Sequence, residues 1–281
     1  MLANFKEIVE KAAASNYIIP GFNVFGYEDA IAVVKAAEEL HCPVILMTNK
    51  LAVNHMPVEY WGNLLNAIAK DAKVPVGVHL DHTSDYKIIM RAIMSGYSSV
   101  MYDGSQLPLK ENIKNTKELV KYAHACNVYV EAEIGSVPYP DIQGGAKSVY
   151  TEPNEANEIA TETGVDWLAV AVGTVHRMQK KEANIQYDRI IEIQKLVTAP
   201  LVLHGASGIK DEDISKLINY HIGKINVGTV LRMAFVKTLS QEMRENPNEF
   251  DKLHLFKKPM EMVQKTAKET MKLLGMGKFN I

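Results

Sequence analysis

Three histidines stand at the ends of short apolar runs in the sequence, where the strands of a sheet would end. They are His82, His176 and His204. A neutral imidazole nitrogen is a good zinc ligand, and three protein ligands leave the fourth position of a tetrahedral ion open for a substrate. Any one of these histidines alone is more typical of a hydrogen-bonded residue at the rim of a sheet. The set of three favours a catalytic metal site.

Carboxylates stand at the ends of the same or neighbouring runs. They are Asp81, Asp103, Glu131 and Glu133. A carboxylate beside a metal-binding imidazole can orient the ring, or it can hold a second cation. The sequence therefore predicts imidazoles and carboxylates around one ion. Five other histidines are expected on helices or loops as surface or packing residues: His41, His55, His124, His221 and His254.

Two glycine-containing turns follow the last two apolar runs, GASG at residues 205–208 and NVGT at residues 226–229. The loops after strands seven and eight of a (β/α)8 barrel often bind phosphate through backbone N–H groups at a helix N-terminus. Either turn alone is equally typical of a plain loop, but the two together favour a phosphate site. A metal beside a phosphate indicates an ion that polarises a carbonyl or hydroxyl of a phosphorylated substrate. These residues alone leave metal-assisted hydrolysis open.

The elements that must position these residues are eight short apolar, β-branched runs separated by stretches with helical periodicity. The runs cover residues 17–24, 43–47, 74–80, 98–101, 128–134, 165–172, 200–203 and 222–227. Eight alternating strand and helix units without a linker predict an α/β fold, a (β/α)8 TIM barrel formed by residues 1–281 as a single domain. Apolar residues at helical spacing after Asp251 predict a C-terminal helical extension with a solvated basic face.

The composition excludes several classes of protein. The net charge is −2 and the pI is about 6.5, so the chain has no general attraction for nucleic acid or anionic membranes. Charged residues interrupt the N-terminal segment, and no apolar stretch is long enough to span a bilayer. The two cysteines, Cys42 and Cys126, lack a CxxC partner. We therefore expect a cytoplasmic protein that is neither exported nor inserted in a membrane.

Several segments together resemble the class II fructose- and tagatose-bisphosphate aldolases. They are GFNV at 21–24, HLDH at 79–82, SVMYDGS at 99–105, VEAEIG at 130–135, GTVH at 173–176 and HGASG at 204–208. The likeness runs in order along nearly the whole chain. It implies a zinc-dependent aldolase that reversibly cleaves a ketose 1-phosphate or 1,6-bisphosphate to dihydroxyacetone phosphate and an aldehyde.

The resemblance also implies roles for individual residues. The zinc ligands would be His82, His176 and His204, with Asp103 and Glu133 near the metal. Asp81 would exchange a proton with the hydroxyl at the cleaved bond. The substrate and phosphate pocket would include Asn23, Gly205, Ser207, Asn226 and Thr229. Zinc would hold the enediolate, so no Schiff-base lysine is required. A monovalent cation and assembly into a homodimer or homotetramer are further expectations of this kind.

Three departures from the family pattern bear on the substrate. Arg177 stands where the family usually has glycine, and its guanidinium would either meet an anionic group or point to solvent. The interval 136–151 reads as a mobile lid loop, and counting from Gly135 places Asp141 at the position of the family's lid glutamate, as a candidate proton carrier. No arginine for the distal phosphate is evident near the C-terminus, where only Lys257 and Lys258 are close. A substrate with a non-phosphate acidic distal group is therefore an alternative.

Two other functions stay open from the sequence. A metal-dependent hydrolase on the same barrel often carries a His-x-His pair on the first strand, and residues 21–23 offer none. A non-catalytic sugar-phosphate-binding protein would explain the altered lid and Arg177. Release of phosphate or amine without carbon–carbon cleavage would favour the hydrolase, and tight binding without turnover would favour the binding protein.

Overall fold

The fold was obtained as a computed structural model, which describes residues 5–138 and 149–277. At its centre is a closed barrel of parallel strands, paired in chain order, with the last beside the first. The strands are β1 (Ile19–Asn23), β2 (Val44–Thr48), β3 (Val76–Leu80), β4 (Ser99–Tyr102), β5 (Tyr129–Ile134), β6 (Trp167–Val170), β7 (Leu201–Leu203) and β8 (Ile222–Val227). Each coincides with a predicted run to within a few residues, so the predicted (β/α)8 barrel is confirmed.

Helices surround the barrel. They are α1 (Phe5–Ala13), α2 (Tyr27–Glu39), α3 (Lys50–His55), α4 (Val58–Asp71), α5 (Tyr86–Met94), α6 (Leu109–Ala125), α7 (Pro153–Thr163), α8 (Tyr187–Leu196), α9 (Asp211–Leu217), α10 (Thr229–Glu245), α11 (Lys252–Leu255) and α12 (Lys257–Leu273). A 3-10 turn, Ala206–Gly208, precedes α9. In α4, the buried side chains Val58, Trp61, Leu65 and Ile68 recur every three or four residues. This spacing turns one face of the helix to the barrel.

The barrel strands are covered on both faces. Every residue of β1 and β3 is buried, and β5 is buried except at Tyr129. Side chains of one set fill the barrel, and those of the other set pack under the helices. This double burial explains why the strands appear as continuous apolar runs in the sequence.

The C-terminal extension is the amphipathic helix α12. Its side chains Val263, Ala267 and Met271 are buried, and the helix packs against α2 and α10. The predicted extension is therefore confirmed. Within residues 5–138 and 149–277, no helix combines the length and apolar character that crossing a bilayer requires.

Candidate active site

The three predicted histidines meet at the C-terminal end of the barrel. His82 follows β3, His176 follows β6 and His204 follows β7. Each offers one ring nitrogen, and these three nitrogen atoms lie within 4.8 Å of one another. The ring centroids of His82 and His204 are 4.5 Å apart, and those of His82 and His176 are 5.0 Å apart. Three imidazole nitrogens at this separation form a donor set suited to zinc.

The backbone at His82 adopts an uncommon conformation to reach this point. Its φ is 45°, in the left-handed region that non-glycine residues rarely occupy. The strained backbone turns the ring so that Nδ1 lies 2.8 Å from Oδ2 of Asp103, while Nε2 lies 2.7 Å from Nδ1 of His204. An ionised carboxylate only accepts hydrogen bonds, so Nδ1 of His82 donates to Asp103. Nε2 is thereby left facing the cluster.

Charge is distributed unevenly over the imidazoles. Burial disfavours the charged form of His82, but the carboxylates of Asp81, Asp103 and Glu133 outweigh burial and raise the pKa of His82 to about 10. Burial, followed by the charge on His82, holds the pKa of both His176 and His204 well below the ordinary value. The latter two rings are therefore neutral, which is the form that binds a metal.

Glu133 joins the cluster from β5. One carboxylate oxygen accepts a weak hydrogen bond from the N–H of Val137 at 3.4 Å. The other, Oε2, has no hydrogen-bond partner among the described residues and lies 3.6 Å from Nδ1 of His82 and 3.7 Å from Nδ1 of His204. Burial and the neighbouring Asp103 raise the pKa of Glu133 well above its ordinary value. A buried carboxylate oxygen without a hydrogen-bond donor fits a cation beside it.

Asp103 completes a second group of possible ligands, with His82 and Glu133, whose donor atoms also lie within 4.8 Å of one another. Burial opposes ionisation of Asp103, but hydrogen bonds from His82 and Ser105 hold the pKa of its carboxyl below the ordinary value. An ionised Asp103 fixes the orientation of the His82 ring. The structure thus brings together the five residues predicted near the metal, which form the candidate metal cluster: His82, His176, His204, Asp103 and Glu133.

Asp81 lies beside the imidazoles with both carboxylate oxygens held by amides. Oδ2 accepts a hydrogen bond from Nδ2 of Asn23 at 2.8 Å, and Oδ1 accepts one from Nδ2 of Asn226 at 2.9 Å. Oδ1 is 4.0 Å from Nε2 of His82. The carboxylate is 2% exposed. Two fixed amide donors leave this carboxylate as an oriented proton acceptor next to the metal cluster.

A cavity of about 860 Å³ opens over the cluster. Gly205, Ser207 and Thr229 line it together. Gly205 has φ 73°, and a Cβ there would lie 2.7 Å from the carbonyl oxygen of Val175, so the turn requires glycine. Ser207 lies in the 3-10 turn, and Thr229 begins α10. The two predicted phosphate-binding segments therefore face the same cavity, one from the 3-10 turn and the other from the N-terminus of α10.

Arg177 lines the same cavity, directly after His176. Its φ is 55°, which again is the left-handed region that favours glycine. The resemblance predicts glycine at this position, and the conformation fits that expectation, because an arginine adopts it only at some cost in backbone strain. The candidate proton carrier Asp141 lies outside the described residues, as does most of the predicted lid loop.

The cations that line the cavity are not the two lysines that the sequence suggested. Lys257 and Lys258 do not line the cavity, and Nζ of Lys258 instead binds Glu242 at 2.7 Å. The cavity is lined by Lys50 and Arg232, and the guanidinium of Arg232 lies 4.9 Å above the ring of Phe25. Arg232 was not predicted from the sequence, because an arginine for the distal group was expected near the C-terminus. The available signal was its place one turn after Thr229.

A buried polar network beneath the metal cluster was also missed. Glu131, predicted at the rim, lies inside the barrel, where it contacts His204, Trp167 and Lys224. Glu131 and Glu133 are two residues apart on one strand, so both point to the barrel interior in successive layers. The same spacing relates Lys224 to Asn226. This alternation was the signal that would have placed Glu131 below the rim.

Comparisons with known proteins show which family the chain resembles. A family model described as class-II fructose-bisphosphate aldolase matches residues 3–278. The fructose-bisphosphate aldolase of Thermus caldophilus is 37% identical over 305 residues, covering 98% of each chain. The structure of the YdjI aldolase from Escherichia coli K12 superposes with a TM-score of 0.85 at 34% identity, covering 99% of both chains.

The chain belongs to the class II fructose-bisphosphate aldolase family. It is accordingly an aldolase, which is a carbon–carbon lyase, and members of its family depend on zinc and bind sugar phosphates. The predicted family, barrel and aldol chemistry are confirmed. The hydrolase and the non-catalytic binding protein are thereby set aside.

Proposed function

We propose that this aldolase binds zinc through His82, His176 and His204 and splits a ketose 1-phosphate with an anionic distal group into dihydroxyacetone phosphate and an aldehyde. The observation that carries the proposal is the convergence of three imidazole nitrogens beside the amide-held carboxylate of Asp81. The neutral rings of His176 and His204 and the oxygen Oε2 of Glu133 suit a cation. Bound zinc supplies Lewis-acid polarisation of a substrate carbonyl.

Asp81 is the proposed proton acceptor in cleavage. When the carbon–carbon bond breaks, the hydroxyl on the aldehyde side loses its proton, and a fixed carboxylate within reach can take it. In the synthetic direction the same carboxylic acid returns the proton. The amides of Asn23 and Asn226 each donate a hydrogen bond to one oxygen of Asp81 and so orient the carboxylate. Asn23 also lines the cavity in which the substrate is proposed to bind. Asp141 remains the proposed carrier for the proton exchanged on the dihydroxyacetone phosphate side.

The phosphate of the dihydroxyacetone phosphate unit is proposed to bind the two turns after β7 and β8. Gly205 and Ser207 supply backbone N–H groups and a hydroxyl from one turn, and Thr229 supplies them from the start of α10. Asn226 contributes through its backbone, because its side chain is engaged with Lys224 and Asp81. Metal and phosphate would then fix opposite ends of the three-carbon fragment.

Arg177, Arg232 and Lys50 are proposed to recognise the distal end of the substrate. All three line the cavity, whereas its metal end is acidic. A guanidinium binds phosphate or carboxylate through paired hydrogen bonds. The distal group is therefore an anion, and phosphate and carboxylate remain the two candidates. A panel of ketose 1-phosphates that end in phosphate, carboxylate or hydroxymethyl distinguishes them, because the neutral substrates should show the highest KM.

The test of the reaction is a retro-aldol assay in which dihydroxyacetone phosphate is reduced by a coupling dehydrogenase. Each protein sample is assayed as purified, after chelation and after zinc is restored. Dihydroxyacetone phosphate should be formed from ketose bisphosphates, and its formation should stop after chelation. Full activity in the chelated sample would contradict the zinc assignment, while the absence of cleavage across the whole panel would contradict the substrate class.

We make three further proposals, which concern assembly, a second ion and location. Residues 1–281 act as one catalytic domain that assembles into a homodimer or homotetramer. A monovalent cation serves as a second ion near the phosphate. Cys42 and Cys126 are both free thiols, which suits a protein of the cytoplasm.

A further inference from the structure

A chain of buried polar groups runs through the barrel directly beneath the metal cluster. Glu131 on β5, Trp167 on β6 and Lys224 on β8 are all 0% exposed. Burying a lysine and a glutamate is costly unless their charges are paired and their hydrogen bonds are satisfied. Nζ of Lys224 lies 2.8 Å from Oε2 of Glu131, and Nε1 of Trp167 donates to the same oxygen at 2.7 Å. One oxygen of Glu131 is thus fully engaged by two donors.

The other oxygen of Glu131 reaches the metal cluster. Oε1 lies 2.8 Å from Nε2 of His204. Because an ionised carboxylate only accepts hydrogen bonds, Nε2 of His204 must carry the hydrogen. In a neutral ring the lone pair is then on Nδ1. That atom is the one that faces Nε2 of His82, at 2.7 Å, inside the metal cluster.

Lys224 connects the same pair to Asp81. Its Nζ donates to Oδ1 of Asn226 at 2.6 Å. This contact turns the amide so that Nδ2 of Asn226 donates to Asp81 at 2.9 Å. The amide orientation of Asn226 therefore depends on the buried lysine, as the ring orientation of His204 depends on the buried glutamate.

We propose that Glu131 is a positioning residue that selects the tautomer of His204 and so presents the Nδ1 lone pair to zinc, while Lys224 and Trp167 hold Glu131 in place. The proposal rests on the assignment of His204 as a zinc ligand in the proposed function. Glu131 does not need to contact the substrate for this role, because its side chain is buried and does not line the cavity.

The variant Glu131→Gln tests this idea with almost no change of shape. Lys224 and Trp167 both donate to one side of residue 131, so the amide oxygen of glutamine will occupy that side. The amide NH2 then faces Nε2 of His204 and requires that nitrogen to accept, which moves the ring hydrogen to Nδ1. Zinc affinity, measured by competition with a chromogenic chelator, should fall about 10- to 100-fold, as when a partner of a ligating histidine is lost.

Asp166→Asn is the matched control. Asp166 is a buried carboxylate that accepts from Nε2 of His124 at 2.8 Å and from the N–H of Val130 at 2.7 Å, outside the metal cluster. It undergoes the same chemical change beside a histidine that is not a proposed ligand. This variant should bind zinc as tightly as the unmodified protein, although its melting temperature should fall.

The tautomer itself is read by 15N NMR of histidine side chains in chelated protein, with the His204 signals assigned by their loss in His204→Gln. The unmodified protein should show hydrogen on Nε2 of His204, and Glu131→Gln should show it on Nδ1. Hydrogen on Nδ1 in the unmodified protein would overturn the proposal even if Glu131→Gln did not fold. So would unchanged zinc affinity in a folded Glu131→Gln.

The same data separate this proposal from the proposed function. If the unmodified protein binds no zinc, or if His204→Gln binds it normally, the assignment of His204 as a ligand fails. If zinc binding requires His204 but is insensitive to Glu131→Gln, only the positioning role of Glu131 fails.

Discussion

Nε2 of His82 lies 2.7 Å from Nδ1 of His204, and each of the two rings turns its remaining nitrogen to a carboxylate. Two imidazole lone pairs cannot face each other at this distance without a proton or a cation between them. Asp103 orients one ring and Glu131 orients the other. The proposed metal site therefore depends as much on these carboxylates as on the imidazoles.

Asp103→Asn should weaken zinc binding about 10- to 100-fold. The N–H and hydroxyl of Ser105 both donate to Oδ1 of Asp103, so an asparagine would keep its oxygen on that side and turn its NH2 to His82. His82 would lose the acceptor for its Nδ1 hydrogen. Asp85→Asn, at another carboxylate that lines the cavity, is the control and should leave zinc affinity unchanged. Equal affinities for the two variants would argue against a role of Asp103 in orienting His82.

Asp81→Ala should retain zinc but reduce kcat about 10²- to 10⁴-fold, the usual contribution of a positioned general base. The imidazoles keep their own carboxylate partners in this variant, so the metal content should not change. Elemental analysis gives the zinc content, and the coupled assay gives kcat. Near-normal turnover would move the proton-transfer role to another residue.

Arg232→Met should raise KM for substrates with an anionic distal group about 10- to 100-fold, since a hydrogen bond to a charged group contributes about 1.5–3 kcal/mol. The KM of a substrate with a neutral distal end should barely change. Arg244→Met, near the other end of α10, is the matched control, because Arg244 does not line the cavity. A uniform rise in KM across the panel would show that Arg232 does not read the distal group.

Gly205→Ala should destabilise the protein and raise KM, whereas Gly164→Ala should only destabilise it. Both glycines have positive φ, at 73° and 69°, so each substitution costs about 1 kcal/mol of backbone strain. A Cβ at Gly164 meets nothing within 4 Å, but one at Gly205 would lie 2.7 Å from the Val175 carbonyl oxygen. Thermal unfolding and KM measurements separate the two effects. Identical KM values for both variants would remove the turn at Gly205 from the phosphate site.

The barrel could be predicted from the sequence because strands buried on both faces appear as unbroken apolar runs. The ends of those runs also identified Asp81, His82 and His204, since polar residues there emerge at one rim. Arg232 was not predicted because an arginine was expected near the C-terminus, whereas Arg232 lies in the first turn of α10, just beyond the end of β8.

The interior network could not be derived in the same way. A lysine inside β8 interrupts an apolar run, and the residues of that run do not indicate which acidic residue pairs with it. Lys224 and Glu131 are 93 residues apart, and only closure of the barrel brings them together. The left-handed backbone at His82 and Arg177 likewise depends on how the loops pack and not on local residue preference.

Removal and restoration of zinc tests the central claim most directly. Cleavage of a ketose bisphosphate should stop when the protein is chelated and return on addition of one equivalent of zinc per chain. Chelated His82→Ala, His176→Ala and His204→Ala should not recover under the same treatment. Cleavage that persists without metal, or full recovery by any of these three variants, would contradict a zinc centre built from His82, His176 and His204.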